Sequence, residues 1–303
     1  MEPASFALAV AGIPGIFKSC IDCFRYIQFS KNFGADFGIC LAKLEATDLQ
    51  LSRWGKAMGF LDEPFDPDAL YKKGMWDEKD VAKAKKWLAL INDLFAEAEK
   101  ASSRFKLLHE DDEPELLEVP DQAKELEKAK ETVKKLVFSV RKLTKRRQKE
   151  TSAVDKAKWA LYAREDFNKL VNDISGLVEK LVVLFPALQP AQEVLCQEEA
   201  SQIEPEVIPT LVAVLGDKDK LLNHALAEEV KVKGHRLQGA TIRQGGLTTV
   251  GDSFKNVFDT LAPGADVSNV DVSGSLKVGH QYEISDAVAL AKLGHPPNPQ
   301  GQQ

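Results

Sequence analysis

The residues of this chain that could carry enzymatic chemistry lie far from one another in the sequence. Its five histidines are isolated, and neither an H-E-x-x-H nor a G-x-S-x-G sequence is present. The stretch Gly234 to Thr241 has the glycine spacing of a phosphate-binding loop, but Ala240 stands where that loop needs a lysine. Carboxylates are numerous, yet they alternate with lysines on helix faces, where exposed ion pairs contribute little. The sequence therefore predicts no catalytic site and no cofactor.

The four cysteines, Cys20, Cys23, Cys40 and Cys196, do not suggest a metal or disulfide site. Cys20 and Cys23 form a C-x-x-C pair, but no second pair or histidine ligand accompanies them. Because their spacing fits one face of an apolar helix, we expect them to pack in a core, with a metal or redox role as the alternative. The small number of cysteines and the absence of a secretory leader predict a reducing, cytoplasmic location.

Charge and glycine divide the chain into two unlike parts. The 303 residues carry 40 basic and 46 acidic side chains, and this net charge of -6 does not favour general binding to nucleic acid. The last 69 residues hold only 11 of the charged residues but 9 of the 19 glycines. We predict a compact domain over residues 1–225 and a flexible tail over residues 226–303.

Apolar residues recur at helical spacing through the first part of the chain. The pattern predicts helices over Phe37 to Met58, Val81 to Ala98, Asp121 to Val140 and Trp159 to Val182. Asp121 is the expected N-cap of the third helix, and Pro186 should end the fourth. Strand-like alternation is missing here, so the prediction is an all-α helical bundle.

The first residues form an apolar segment. Pro3 to Phe17 runs 15 residues without a charge and contains Gly12, Pro14 and Gly15. It is shorter than the ~20 residues of a secure membrane span. One interpretation is a helix buried in the bundle, and the other is a segment that is buried at rest and can enter a bilayer. Its candidate membrane residues are Phe6, Leu8, Val10, Ile13, Ile16 and Phe17.

A run of basic residues follows the third predicted helix. Its residues are Lys142, Lys145, Arg146, Arg147 and Lys149. Such a run could meet anionic lipid headgroups, with a contribution of about 1 kcal/mol per basic residue. The alternative is a solvated helix face, which the acidic surroundings favour.

The tail contains two copies of one strand pattern, at about 235–254 and 263–282. Both copies read G-x-x-x-V-G-x-x-aromatic with an offset of 28 residues, an even number that keeps the same residues on the same strand face. A rival offset of 40 aligns Val230 to Gly239 with Val270 to Gly279, but it begins inside a predicted helix. The residues of the motif are Ile242, Gly246, Val250, Gly251, Phe254, Val270, Gly274, Val278, Gly279 and Tyr282.

Such repeats bury little apolar surface in a monomer, so we expect disorder in the free chain. Stacked copy on copy, at about 4.7 Å per layer, they would pair every backbone donor and acceptor as a cross-β assembly does. The tail is therefore predicted to be able to form a two-repeat β-solenoid amyloid. A small β-hairpin appendage or a plain linker is the alternative.

Three strings carry a resemblance to a known family. They run from Phe17 to Phe33, from Leu51 to Gly55 (L-S-R-W-G) and from Arg146 to Tyr162. With them, roughly residues 1–225 resemble the HeLo domain of the HET-s/HET-S heterokaryon-incompatibility proteins of filamentous fungi. The tail resembles the paired amyloid motif of that family, although His280 replaces the usual Asn or Asp.

The resemblance implies a fungal effector of heterokaryon incompatibility and programmed cell death. A fibril or a signalling receptor would template the tail into amyloid, and the helical domain would then release its N-terminal segment and permeabilise the plasma membrane. The position Asp22 is carried over as a functional residue of the helical domain. Implied partners are a second copy of the chain, in an amyloid stack or a helical homodimer, an amyloid-motif protein and membrane lipids.

Two alternatives remain at this point. The chain could be a non-killing prion form, or a helical interaction module whose tail binds a partner without membrane activity. Seeded fibrils without vesicle leakage would favour either one.

Overall fold

The structure is a computed structural model that describes residues 2–25, 27–29, 36–74, 76–108, 126, 130–148, 159–161 and 164–232, together with eight short strands between residues 235 and 283. The chain divides into two compact units, residues 1–226 and 227–303.

The first unit is built from helices, as the sequence predicts. They are α1 (Pro3–Val10), α2 (Ile13–Arg25), α3 (Phe37–Met58), α4 (Pro67–Lys72), α5 (Glu78–Leu108), α6 (Glu131–Arg147), α7 (Arg164–Leu184), α8 (Gln189–Gln202), α9 (Ile208–Leu215) and α10 (Lys220–Val232). Short 3-10 turns at Pro186–Leu188 and Pro205–Val207 precede α8 and α9.

The long apolar stripes are where the sequence places them. The predicted helix from Phe37 to Met58 is α3, and the one from Val81 to Ala98 lies within α5. The part of the fourth stripe from Phe167 onward lies within α7, which ends at Leu184, just before Pro186. The end of the third stripe lies in α6, whereas its expected N-cap, Asp121, is outside the described residues.

The prediction of helix from Trp159 onward is wrong at its start. Trp159–Leu161 is a strand, β2, which pairs in parallel with β1 (Ile27–Phe29), so that Ile27 is opposite Trp159. Three residues are too few for a periodicity to distinguish a helix from a strand. The strand depends on a partner about 130 residues away in the sequence, because strand preference is set largely by its neighbours.

Helix α3 lies at the centre of the bundle and packs against α2, α6, α7, α8 and α9. Of its 22 residues, 18 are buried, so polar side chains on its other faces are buried together with its apolar stripe. Gly59 ends the helix in the left-handed conformation with a φ of 80°, which glycine adopts at little cost. Helix α3 also packs against α2 of the N-terminal segment, which lies mainly on α5, and α1 packs on α4 and α5.

The second unit contains four parallel pairs of strands. In the first repeat these are β3 (His235–Gln238), β4 (Thr241–Ile242), β5 (Leu247–Val250) and β6 (Ser253–Lys255). In the second they are β7 (Ala265–Ser268), β8 (Asp271–Val272), β9 (Ser275–Val278) and β10 (Gln281–Glu283). Each strand of the first repeat pairs with its counterpart in the second.

The register of these pairs agrees with the predicted offset in only one half of the repeat. Pairs β5–β9 and β6–β10 have the offset of 28, with Val250 opposite Val278. Pairs β3–β7 and β4–β8 are offset by 30, because four residues lie between β4 and β5 but only two between β8 and β9. None of the described strands pairs at the rival offset of 40.

Candidate functional site

The N-terminal segment is a pair of helices, α1 and α2, with one side in the bundle. Of its candidate membrane residues, Phe6, Val10, Ile13 and Phe17 are buried and Ile16 is half-buried. Leu8 is 82% exposed. By length and composition, the stretch Pro3–Arg25 is long and apolar enough to cross a membrane, although core helices and signal sequences meet the same criterion.

Phe6 anchors α1 in an aromatic cluster. Its ring centroid lies 5.4 Å from that of Tyr71 and 5.1 Å from that of Trp76. Trp76 in turn lies 5.0 Å from Phe185, at the end of α7. These tilted ring contacts add to the burial of apolar area. Phe6 is thus held directly by Tyr71 and Trp76, and Trp76 is in turn held by Phe185.

Phe17 anchors α2 against the end of α3. Its ring lies 6.1 Å from Trp54 and 5.7 Å from Phe60. A Cβ atom on Gly55 would come within 2.1 Å of the Phe17 ring, so only a glycine leaves room for that ring. This contact gives a physical reason for the Trp54-Gly55 pair in the L-S-R-W-G string.

Helix α2 is held against α5 by polar contacts. The Cys20 thiol donates to the Leu88 carbonyl oxygen at 3.2 Å, and Asn92 donates to the Ile16 carbonyl oxygen at 3.4 Å. Burial raises the pKa of Cys20 well above its ordinary value, so the thiol stays protonated. Cys20 behaves as a core residue, as its position on an apolar helix face predicts.

Asp22 belongs to a chain of polar groups that connects α2 with α3 and α6. It is 6% exposed, and its Oδ1 lies 3.6 Å from Arg25 Nη1. Arg25 Nη2 donates to Gln148 Oε1 at 2.5 Å, and Gln148 Nε2 donates to Asp48 Oδ1 at 3.0 Å. Burial, and after it the nearby Glu45, raises the pKa of Asp48 well above the ordinary range. The family resemblance singled out Asp22, whereas sequence reasoning did not name Arg25, Asp48 or Gln148.

Three buried charges and the partly exposed Arg147 form a second polar group, which we call the charge quartet: Arg53, Arg147, Glu199 and Asp219. Arg53 Nη2 lies 2.7 Å from Glu199 Oε2 and 2.8 Å from Asp219 Oδ2. Arg147 Nη2 lies 2.7 Å from Glu199 Oε1. Two positive and two negative charges balance, which is the condition for burying them. Nothing in the local sequence pairs these residues, since they are brought together from α3, α6, α8 and the start of α10.

The charge quartet touches the N-terminus of α10 and the anchor of α2. Asp219 Oδ1 also accepts a hydrogen bond from the Leu222 backbone N-H at 3.2 Å, as an N-cap does. Arg53 directly precedes Trp54 and Gly55, which hold Phe17. The first turn of α10 and the anchor of the N-terminal segment are therefore connected through one short stretch of α3.

The amyloid-motif residues are described in part. Ile242, Val250 and Phe254 lie opposite Val272, Val278 and Tyr282 in the parallel pairs. Five predicted motif residues lie outside the described residues: Gly246, Gly251, Val270, Gly274 and Gly279. The pairing matches the predicted motif positions for Val250 with Val278 and for Phe254 with Tyr282, whereas Ile242 lies opposite Val272 instead of Val270.

Residues 5–211 match HeLo, a family described as prion-inhibition and propagation. The chain is 29% identical over 230 residues to heterokaryon incompatibility protein S of Podospora anserina. It is 30% identical over 231 residues to heterokaryon incompatibility protein s of Podospora anserina. Each alignment covers 76% of this chain and 75% of the relative.

The solved N-terminal domain of HET-s has the same fold. It superposes with a TM-score of 0.60 and 28% identity, over 73% of this chain and 97% of that domain. A form of the domain with two substitutions also gives a TM-score of 0.60, over 72% of this chain and 98% of its own length.

Proposed function

The chain belongs to the HeLo family of prion-inhibition and propagation proteins, and from this premise we propose that it is a heterokaryon-incompatibility effector that acts on membranes. Its relatives are heterokaryon incompatibility proteins. In the proposed mechanism the protein is cytoplasmic at rest, a fibril or an amyloid-motif partner templates the tail, and the helical domain then releases α1 and α2 into the plasma membrane.

The observation that carries this proposal is how the N-terminal segment is held. Phe6 and Phe17 are buried among aromatic rings, while Leu8 on the same segment is exposed. Core and bilayer are both apolar, so moving Phe6, Val10, Ile13 and Phe17 from one to the other keeps them out of water. The charged residues of the segment, from Lys18 onward, gather at its C-terminal end, where they can stay at the membrane surface.

Templating of the tail is supported by the strand pairing. Each described sheet of the tail contains two strands, so within the described strands each has one edge without a partner strand. Such an edge can add another strand of the same pattern. We propose that further copies stack there and that a fibril end or a partner's motif supplies the first layer.

The charge quartet offers a route from the tail to the N-terminal segment. Helix α10 ends at Val232, and the first tail strand begins three residues later at His235. We propose that ordering of the tail unwinds α10 and withdraws Asp219 from Arg53. Removing one partner from a buried ion pair costs about 3–5 kcal/mol. That loss would destabilise the stretch of α3 that holds Phe17.

The test is a seeded leakage assay on the full chain. Dye-filled vesicles should stay intact with the protein alone and leak after sonicated fibrils of the same chain are added. Fibril growth without leakage would contradict the membrane step and favour a non-killing prion form or an interaction module. If added fibrils did not induce fibril growth of the full chain, that result would contradict the templating step.

A matched pair of variants separates insertion from folding. Leu8→Lys places a charge in the apolar segment at a position that is exposed at rest, so the resting fold should be unaffected. In a bilayer centre that charge costs about 2.5–3.5 kcal/mol, so seeded leakage should fall at least tenfold. Val183→Lys, at a residue of α7 that is 69% exposed, makes a similar change outside the segment and should leak like the unmodified protein. Equal leakage by both variants would exclude α1 as an inserted element.

A further inference from the structure

One face of α6 carries an exposed phenylalanine followed by three basic side chains. Phe138 is 58% exposed, and Lys142, Lys145 and Arg146 are exposed further along the same helix. Residues at i, i+4 and i+7 or i+8 share one helix face, so these four lie together. We call Phe138, Lys142, Lys145 and Arg146 the α6 basic face.

The other cations of α6 are already engaged. Lys134 pairs with Glu131 at 3.0 Å, Arg141 with Glu45 at 2.5 Å and Arg147 with Glu199 at 2.7 Å, and Lys135 pairs with Glu206. The predicted basic run is therefore divided, because Arg147 belongs to the charge quartet. Lys149 lies outside the described residues.

The cations of the α6 basic face keep their charge available. Among the residues that the structure describes, Lys142 and Lys145 form no ion pair within 4 Å. Lys145 acts at longer range on Glu45, which Arg141 already holds. Arg146 donates to the neutral Gln202 at 2.6 Å and so remains a full charge. Three cations thus follow an exposed apolar ring along one helix face of a protein whose net charge is -6.

We propose that the α6 basic face binds anionic lipid membranes in the resting protein, before α1 and α2 are released. Ammonium and guanidinium groups attract lipid phosphates and carboxylates, and a phenyl ring beside them enters the headgroup region. The net charge of -6 would repel the rest of the chain from such a surface, so the contact is confined to this face and orients the molecule. This binding needs neither the tail nor the release step.

The test is co-sedimentation of the full chain, without fibrils, with vesicles of phosphatidylcholine that contain or lack phosphatidylserine. Binding should require phosphatidylserine and should weaken at high salt. Each cation lost near an anionic surface weakens binding about fivefold, so Lys142→Gln with Lys145→Gln should lower the affinity about 30-fold. Lys85→Gln with Lys86→Gln, at exposed residues of α5, makes the same charge change and should bind like the unmodified protein.

Phe138→Ser tests the apolar part at constant charge and should also weaken binding to phosphatidylserine vesicles. The proposal is overturned if the unmodified chain does not bind, if binding ignores phosphatidylserine, or if the α5 variant loses as much affinity as the α6 variant. It is also overturned if Phe138→Ser changes the oligomeric mass in solution but not vesicle binding, since the face would then join two copies. None of these readouts involves seeding or leakage, so they do not depend on the proposed function.

Discussion

At the scale of single residues, a substitution at Gly55 should affect both the stability of the fold and the proposed release of α2. Gly55→Ala puts a methyl group into the Phe17 ring, which Trp54 and Phe60 prevent from moving aside. Overpacking of this kind costs about 1–3 kcal/mol of folding free energy. The higher helix propensity of alanine relative to glycine returns only about 1 kcal/mol. We expect a lower urea midpoint for this variant and some leakage without seeds.

Gly176→Ala is the matched control for that substitution. Gly176 lies inside α7, and a Cβ atom there would meet nothing within 4 Å. It should therefore stabilise the protein by about 1 kcal/mol, through helix propensity alone. Stabilisation by both substitutions would show that the Phe17 ring is not held against Gly55.

Asp48 should make the stability of the helical unit depend on pH. Its pKa is raised in the folded state, first by burial and then by Glu45, so the folded protein holds this proton more tightly than the unfolded chain. The corresponding stability is complete below the unfolded pKa of about 3.9 and is lost as pH rises through the raised pKa. Asp48→Asn keeps an oxygen that accepts the hydrogen bond from Gln148. It has no carboxyl group to ionise, so it removes the loss of stability at higher pH.

Urea unfolding of Asp48→Asn at several pH values measures the effect. The variant should be more stable than the unmodified protein at pH 7, and the difference should shrink toward pH 4. Asp93→Asn, at an exposed residue of α5, is the control for replacing a carboxylate by an amide. A difference that grows on acidification would mean that Asp48 is stabilised as the charged form.

At the scale of elements, the parallel strand pairs of the tail are the features most open to test. Val278→Pro removes a backbone N-H from β9, which pairs with β5. Seeding by unmodified fibrils should be abolished, while the far-UV helix signal stays the same. Val288→Pro, five residues after the last described strand, is the same substitution away from β9 and should seed normally. Normal seeding of Val278→Pro would contradict the register.

Sequence patterns identified the elements to different degrees. Long stripes predicted α3, α5 and α7, because a stripe of five or more turns repeats the same signal many times. The pair β1–β2 was missed, since three-residue strands carry no period of their own. The repeat offset was found only for β5–β9 and β6–β10, because the two extra residues between β4 and β5 change it to 30 for β3–β7 and β4–β8.

At the scale of the whole molecule, the chain consists of two units with different composition and secondary structure. The charged, helical residues 1–226 form a bundle around α3, and residues 227–303 contain the paired strands. The charge quartet connects α10, the last helix, with the anchor of the first helices. Under the proposed function, the bundle is stable enough to hold its N-terminal segment and depends on one buried charge balance to keep holding it.

The sequence by itself determined the helical class of the first unit, the two-copy pattern of the tail and the family, because periodicity, repetition and local strings are properties of neighbouring residues. Only the tertiary structure decided that Gly55 makes room for Phe17, that Arg53 balances Glu199 and Asp219, and that Arg147 turns inward while Lys142 and Lys145 stay exposed. Those contacts join residues more than 30 positions apart, or depend on which helix covers a given side chain. Their energies come from burial and charge balance, which exist only once the helices are packed.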